Sequence, residues 1–236
     1  MADVKVVHFI RHGEAEHNVA ARRHGCQEYR NWAYLDAPLT EKGRGQAREA
    51  QKVVLAQMKP QVVLVSPLTR TLQTAEEVFQ PLMDSSEGKP RFEVCEGVRE
   101  RIGHHPCDKR RTVSELKPQF PQFSFDAILD EDDCLWSEAR EPTEDILQRA
   151  KAFLEVLRQR SENCIGVVSH SAFLTAMFVV LTTECGLRSD GPDGPPDITS
   201  ASSPDAVANG GPMNGESKPY FANGEVKTVV ILPHSS

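Results

Sequence analysis

Apolar positions along the chain recur with two alternating periods. "VKVVHFI" (Val4 to Ile10) is a β-branched run closed by a polar turn, the pattern of a buried strand. After it, "LTEKGRGQAREAQKVVLAQM" opens on Thr40 as an N-cap and sets Ala47, Ala50, Val54 and Met58 at helical spacing. The unit repeats: "QVVLVS" (Gln61 to Ser66) predicts a second strand, and "PLTRTLQTAEEVF" a helix with Pro67 near its first turn, where a missing N–H is harmless. "RFEVCEGV" predicts a short third strand. "EPTEDILQRAKAFLEVLRQR" predicts an amphipathic helix with Ile146, Ala150, Phe153, Leu154 and Leu157 on one face. "CIGVVSHSAFLTAMFVVL" then gives strand, turn and buried helix, and "EVKTVVIL" a last strand.

Alternating strands and helices define the α/β class, with a mostly parallel sheet covered on both faces. Two segments interrupt the rhythm. Glu100 to Trp136 is too long and too rich in charge, aromatics and proline for a plain connection, and is predicted to be a lid. Glu184 to Pro219 holds six glycines and six prolines in a Ser/Asp/Asn background, which predicts a disordered surface loop. Residues 1–236 are expected to form a single domain that carries these two segments.

Bulk properties narrow the class of function. The chain has 236 residues, of which 39% are hydrophobic, enough for a substantial core. A formal charge of −7 argues against general nucleic-acid binding, which needs clustered basic surface. The longest apolar stretch, Ala172 to Leu181, is about half of the roughly 20 residues a membrane span requires, so no membrane partner is expected. The first residues run directly into a predicted strand, so no secretory leader is expected. Cys26, Cys95, Cys107, Cys134, Cys164 and Cys185 form no CxxC pair, and no Asn-x-Ser/Thr sequon occurs. Reduced thiols and a cytoplasmic location are therefore expected.

The candidate chemistry sits where strands end. In open α/β sheets ligands bind beyond the carboxyl ends of the strands, and three predicted strands end in Arg11-His12, Pro67-Leu68-Thr69-Arg70 and His170. A lone histidine at a strand end is usually structural, and a lone arginine on a helix is usually solvated with its stem packed. Three such ends together point to an anion. A phosphate monoester carries about −1.5 to −2 charge, and Arg11 and Arg70 can each offer it two parallel hydrogen bonds, assisted by helix N-termini. A neutral imidazole there is a competent nucleophile, while a second, drawn to the phosphoryl charge as an imidazolium, stabilises the transition state. The serines beside His170 lie in no Gly-x-Ser-x-Gly elbow.

These residues resemble the histidine phosphatase superfamily, which includes cofactor-dependent phosphoglycerate mutases and many phosphatases. "RHGEAEHN" is similar to its RHGE-x-x-x-N block, "DAPLTEKGRGQA" and "SPLTRTLQTA" follow in order, and "VVSHSAF" is similar to the block around its second catalytic histidine. The resemblance implies a three-layer α/β/α sandwich, phosphoglycerate mutase-like, with a lid insertion. It implies that His12 is transiently phosphorylated and that Arg11, Asn18, Arg70 and His170 bind the phosphoryl oxygens, with no metal or organic cofactor.

The proton donor implied by the family is an acidic residue after the third strand. "GVRERIG" supplies Glu100, with Glu96 as the alternative, although Val98 stands where the pattern has leucine and Gly103 arrives one position early. The block "HHPCDKRRTVSEL" departs from the mutases and resembles a mutase-like branch of plants and fungi. Within it Lys109, Arg110 and Arg111 are candidates to meet a second anionic group on the substrate, or else decorate an exposed turn. His104, His105, Cys107 and Asp108 lack the second cluster that a metal site would need. The expected activity is hydrolysis of a small phosphorylated metabolite, with phosphoglycerate mutase and a catalytically silent interaction module as the alternatives.

Overall fold

The computed structural model describes residues 4–186 and 220–232. The predicted loop from Glu184 to Pro219 falls mostly outside the described residues. Five strands form one sheet in the order β3-β2-β4-β1-β5: β1 (Lys5–Arg11), β2 (Val62–Val65), β3 (Arg91–Val94), β4 (Cys164–Ser169) and β5 (Val226–Ile231). The first four are parallel to one another, and β5 returns antiparallel along β1. The mostly parallel sheet is thus present, with one antiparallel edge.

Side chains alternate across the sheet because successive residues of a strand face opposite sides. Val7, Phe9, Val62, Leu64, Ile165 and Val167 pack beneath α5 (Thr143–Gln159) and α6 (Ser171–Cys185). Ile10, Val63, Val65 and Val168 face α2 (Glu41–Gln57) and α3 (Thr69–Met83). Two cores on two faces make the three layers. Gly166 keeps the second layer close, since a Cβ there would meet Phe79 and Val63 at 3.3 Å.

The predicted helix starts hold in detail at Thr40, whose side chain accepts the Gly43 N–H. At α3 the start is displaced: Pro67 precedes the N-cap Leu68, and the helix begins at Thr69. One helix, α1 (Glu16–His24), has no counterpart in the apolar pattern, because it buries only His17 and Ala20. Among the described residues no helix is long and apolar enough to cross a membrane. The stretch Ala172 to Leu181 lies inside α6.

The segment expected to be a lid is tied into the body. Its middle forms the short α4 (Val113–Leu116), after which Phe120, Phe123 and Phe125 join the core on the α2/α3 side. Ser124 bridges Glu93 on β3, with main-chain bonds to Phe92 and Val94. Its first part runs over the carboxyl end of the sheet through a single turn, Pro106–Asp108.

Candidate active site

The carboxyl ends of β1, β2 and β4 meet at His12. The His12 N–H donates to the Ser169 carbonyl (3.0 Å) and the Ser66 N–H to that of Val168 (3.1 Å), so the ends remain in register past the strands. The chain then turns through Gly13, where a Cβ would lie 2.2 Å from the Gly43 carbonyl oxygen. A Cβ on Gly43 would lie 2.0 Å from that of Glu14. Paired glycines allow the turn to cross the first turn of α2 in backbone contact.

His12 Nδ1 lies 2.6 Å from the Gly13 carbonyl. A carbonyl only accepts, so Nδ1 carries the proton and Nε2 the lone pair. Nε2 meets Arg70 Nε at 3.3 Å. Burial, reinforced by Arg70 and Arg11, holds the pKa of His12 well below the usual histidine value, so the ring is neutral at physiological pH.

Arg70, on the first turn of α3, is 1% exposed. Beyond its contact with His12 it donates from Nη1 to the Cys107 carbonyl (2.5 Å) and from Nη2 to Asp108 Oδ1 (2.8 Å). Asp108 Oδ2 accepts from Arg140 Nη1 at 2.8 Å. Burial opposes the charge of Asp108, yet Arg140, His105 and Arg70 together hold its carboxyl well below the usual range. Arg11 donates from Nη1 to the Phe221 carbonyl (2.6 Å). Phe221 belongs to a strap ahead of β5 in which Asn223 Nδ2 and the Gly224 N–H both bond the His12 carbonyl.

His170 is the N-cap of α6, its ring centroid 5.1 Å from that of His12 and its Nε2 2.7 Å from the Ser66 hydroxyl. The sequence predicts a second imidazole that becomes cationic when drawn to the phosphoryl charge. In the structure burial, then Arg70 and His12, push its pKa well down, so it too is neutral in the free protein. Glu100 accepts from the Arg101 N–H (2.9 Å) and from the Ala172 N–H in the first turn of α6 (3.1 Å). Burial first, and the charge of Asp108 second, raise its pKa above the usual glutamate value.

One pocket is lined by Arg11, His12, His17, Asn18, Tyr29, Arg70, Glu100, His105, Cys107 and Asp108. Asn18 is held by the Ala15 N–H, which its Oδ1 accepts at 3.0 Å. Glu96 lies elsewhere, paired with Arg99 (3.1 Å) and Arg110 (2.9 Å). Lys109, Arg110 and Arg111 are absent from the lining. Lys109 Nζ lies over the rings of Trp136 and Trp32, at 4.8 and 5.5 Å from their centroids. Arg110 is buried against Glu96 and the carbonyls of Asp130, Glu131 and Asp132. Arg111 pairs with Asp36 and the Thr69 hydroxyl at the start of α3.

The sequence pattern does not single out Ser66, Tyr29 and the Phe221–Gly224 strap, and marks Asp108 only as part of a cluster too small for a metal site. Each acts through a partner far away in sequence. His17 carried a local signal, since it immediately precedes Asn18 on the helix opened by the Arg11-His12-Gly13 turn.

An α/β sheet with a neutral histidine flanked by two buried arginines and a second histidine at its carboxyl end defines a class built for phosphoryl groups. The chain belongs to the histidine phosphatase superfamily (branch 1), whose family model matches residues 7–187, and it is an enzyme of that superfamily. It is 34% identical to a phosphoglycerate mutase-like protein of Arabidopsis thaliana, covering 77% of this chain and 76% of the relative. Phosphoglycerate mutase-like protein 1 of the same plant is 32% identical over 98% of this chain and 82% of its own. Among solved structures, the fold is similar to that of the ecdysone phosphate phosphatase of Bombix mori in complex with tungstate. There the TM-score is 0.59 and the identity 16%, covering 97% of this chain and 92% of that one.

Proposed function

We propose that this protein is a metal-independent phosphomonoester hydrolase that acts on a small phosphorylated metabolite through a phosphohistidine at His12. The observation that carries the reading is the state of the nitrogens around His12. Arg11 Nε and His170 Nδ1 are both buried without a hydrogen-bond partner. Buried polar groups are nearly always paired, and an open donor on Arg11, which lines the pocket of His12, suits a bound anion there.

His12 Nε2 attacks phosphorus, and the bond from phosphorus to the ester oxygen breaks. Glu100, protonated more readily than an ordinary glutamate, passes its proton to the leaving alkoxide. The resulting carboxylate takes a proton from water, whose oxygen attacks the phosphohistidine. The P–N bond breaks, phosphate leaves and His12 returns neutral. Arg11 and Arg70 stay fixed throughout, facing charge that grows on the phosphoryl oxygens. The phosphoryl dianion raises the pKa of His170 and favours its cationic form. The six cysteines are free thiols, in keeping with a reducing compartment such as the cytosol.

The test is phosphate release from a panel of phosphomonoesters, 3-phosphoglycerate included, with EDTA present, comparing the native protein with His12→Ala. Release that survives EDTA and vanishes in the variant, with a phosphoprotein trapped only in the native chain, is the expected result. Interconversion of 2- and 3-phosphoglycerate with a bisphosphoglycerate primer and no net release would replace this reading with the mutase. Inactivity on every ester would leave an interaction module.

A further inference from the structure

We propose that His17 is an additional phosphoryl contact, donating from Nδ1 to a nonbridging oxygen of the group transferred to His12; this rests on the phosphatase reading above. His17 is 3% exposed and lines the same pocket as His12, Arg11 and Arg70. Its ring centroid is 6.4 Å from that of His12, and Tyr29 packs edge-on behind it at 5.7 Å. Tyr29 in turn packs against His105 at 5.3 Å, so the imidazole is held by a wall of rings. Held in this way, its Nδ1 is buried with no hydrogen-bond partner.

The protein contains its own control. His8, equally buried at 3% exposed but on the body of β1, pairs Nδ1 with the Thr228 hydroxyl (2.8 Å) and Nε2 with the Cys164 thiol (3.7 Å). This histidine of the strand body is thus satisfied at both nitrogens. Arg11, which lines the same pocket, likewise has an open nitrogen at Nε. Two open nitrogens in the pocket of His12 suit the several oxygens of a phosphoryl group.

Charge gives the contact a distinct role. Burial and Arg70 hold the His17 pKa well below the usual value, so the ring is neutral in the free protein. The guanidiniums supply the charge, and the His17 N–H adds a directed hydrogen bond. His17 therefore acts on orientation and on the trigonal geometry of the transition state more than on long-range attraction.

The test compares His17→Asn, whose amide N–H reaches the position of Nδ1, with His17→Phe, which fills the ring's volume without a donor. The readouts are inhibition and direct binding of orthovanadate, kcat/KM for p-nitrophenyl phosphate, and thermal unfolding. His17→Phe is expected to weaken vanadate and lower kcat/KM by about 10- to 100-fold. His17→Asn is expected to recover most of both, with melting temperatures close to native. Should the Phe variant not fold, His17→Gln serves in its place, since its longer side chain carries the amide to the position of Nε2 instead. Vanadate binding within about twofold of native in the donor-less variant, or equal losses in the Asn and Gln variants, overturns the proposal. A native protein that binds no vanadate and hydrolyses no ester overturns the phosphatase reading and this contact with it. Native activity with an indifferent His17 overturns the contact alone.

Discussion

Asp108→Asn tests the charge structure of the site most directly. Asp108 is 4% exposed and stands between two guanidiniums, accepting from Arg70 and from Arg140 at 2.8 Å each. The amide of asparagine can accept from one of them, and its NH2 group then faces the other as donor against donor. Removing one partner of a buried ion pair costs about 3–5 kcal/mol, because a buried charge remains uncompensated. The retained oxygen places this case near the lower figure, about 3 kcal/mol. At about 2–4 °C per kcal/mol for a domain of this size, the melting temperature should fall by at least about 6 °C. Urea unfolding at several pH values checks the origin of the loss. The carboxyl of Asp108 titrates lower in the folded than in the unfolded chain. Its stabilisation is therefore complete above the ordinary aspartate value of about 3.9, and is lost as pH falls through the lower folded value. The gap between native and variant should be constant through neutral pH and close only in strong acid. Catalysis offers a second arm, because the charge of Asp108 contributes to the raised pKa of Glu100. The basic limb of the kcat profile on an alkyl phosphate should move to lower pH in the variant. A midpoint within about 1 kcal/mol of native, together with an unmoved basic limb, would refute the reasoning.

Glu100→Gln should lower kcat on alkyl phosphates by about 10²–10⁴ and much less on p-nitrophenyl phosphate, whose leaving group needs no proton. Because Glu100 is harder to ionise in the folded chain, its ionisation opposes folding above the ordinary glutamate value. The variant should match native stability at acid pH and exceed it at neutral pH, as read by urea midpoints. Arg70→Lys keeps the charge but loses the fork that binds His12, Cys107 and Asp108 together. It should lower kcat/KM by at least about tenfold, and a near-native value would remove Arg70 from the clamp. Gly43→Ala places a methyl carbon 2.0 Å from the Glu14 carbonyl oxygen, so the turn after His12 must move. A loss of about 1–3 kcal/mol or more in urea unfolding, with weakened vanadate binding, is expected.

The sheet was legible because Val62–Val65 and Cys164–Ser169 are β-branched runs buried on both sides, and that burial leaves a mark in composition. The helix α1 left none, since its buried positions are an imidazole and one alanine. Arg11, His12, Arg70 and His170 were legible because each lies at a strand end or in the helix turn that follows, where local sequence fixes position. The fate of Lys109, Arg110 and Arg111 was not. A basic run looks alike in sequence whether it meets a substrate, two tryptophans or a row of carbonyls, and only tertiary contacts decide. The same holds for Glu96 and Glu100, four residues apart, of which one neutralises Arg99 and Arg110 while the other lines the pocket.

The strap ahead of β5 has a consequence for how the protein is made. Arg11 receives its carbonyl partner from Phe221, 210 positions later in the chain. During synthesis at about 5–20 residues per second, that interval lasts roughly 10–40 s. Throughout it the nascent chain holds the nucleophile without the peptide group that aims its arginine, and from the time β4 is made β1 lies at an open sheet edge of the kind that recruits other chains. Docking of the last strand closes the edge and aligns the arginine in a single event. Competence for chemistry and protection from misassembly therefore arrive together, once Phe221 and β5 have been made.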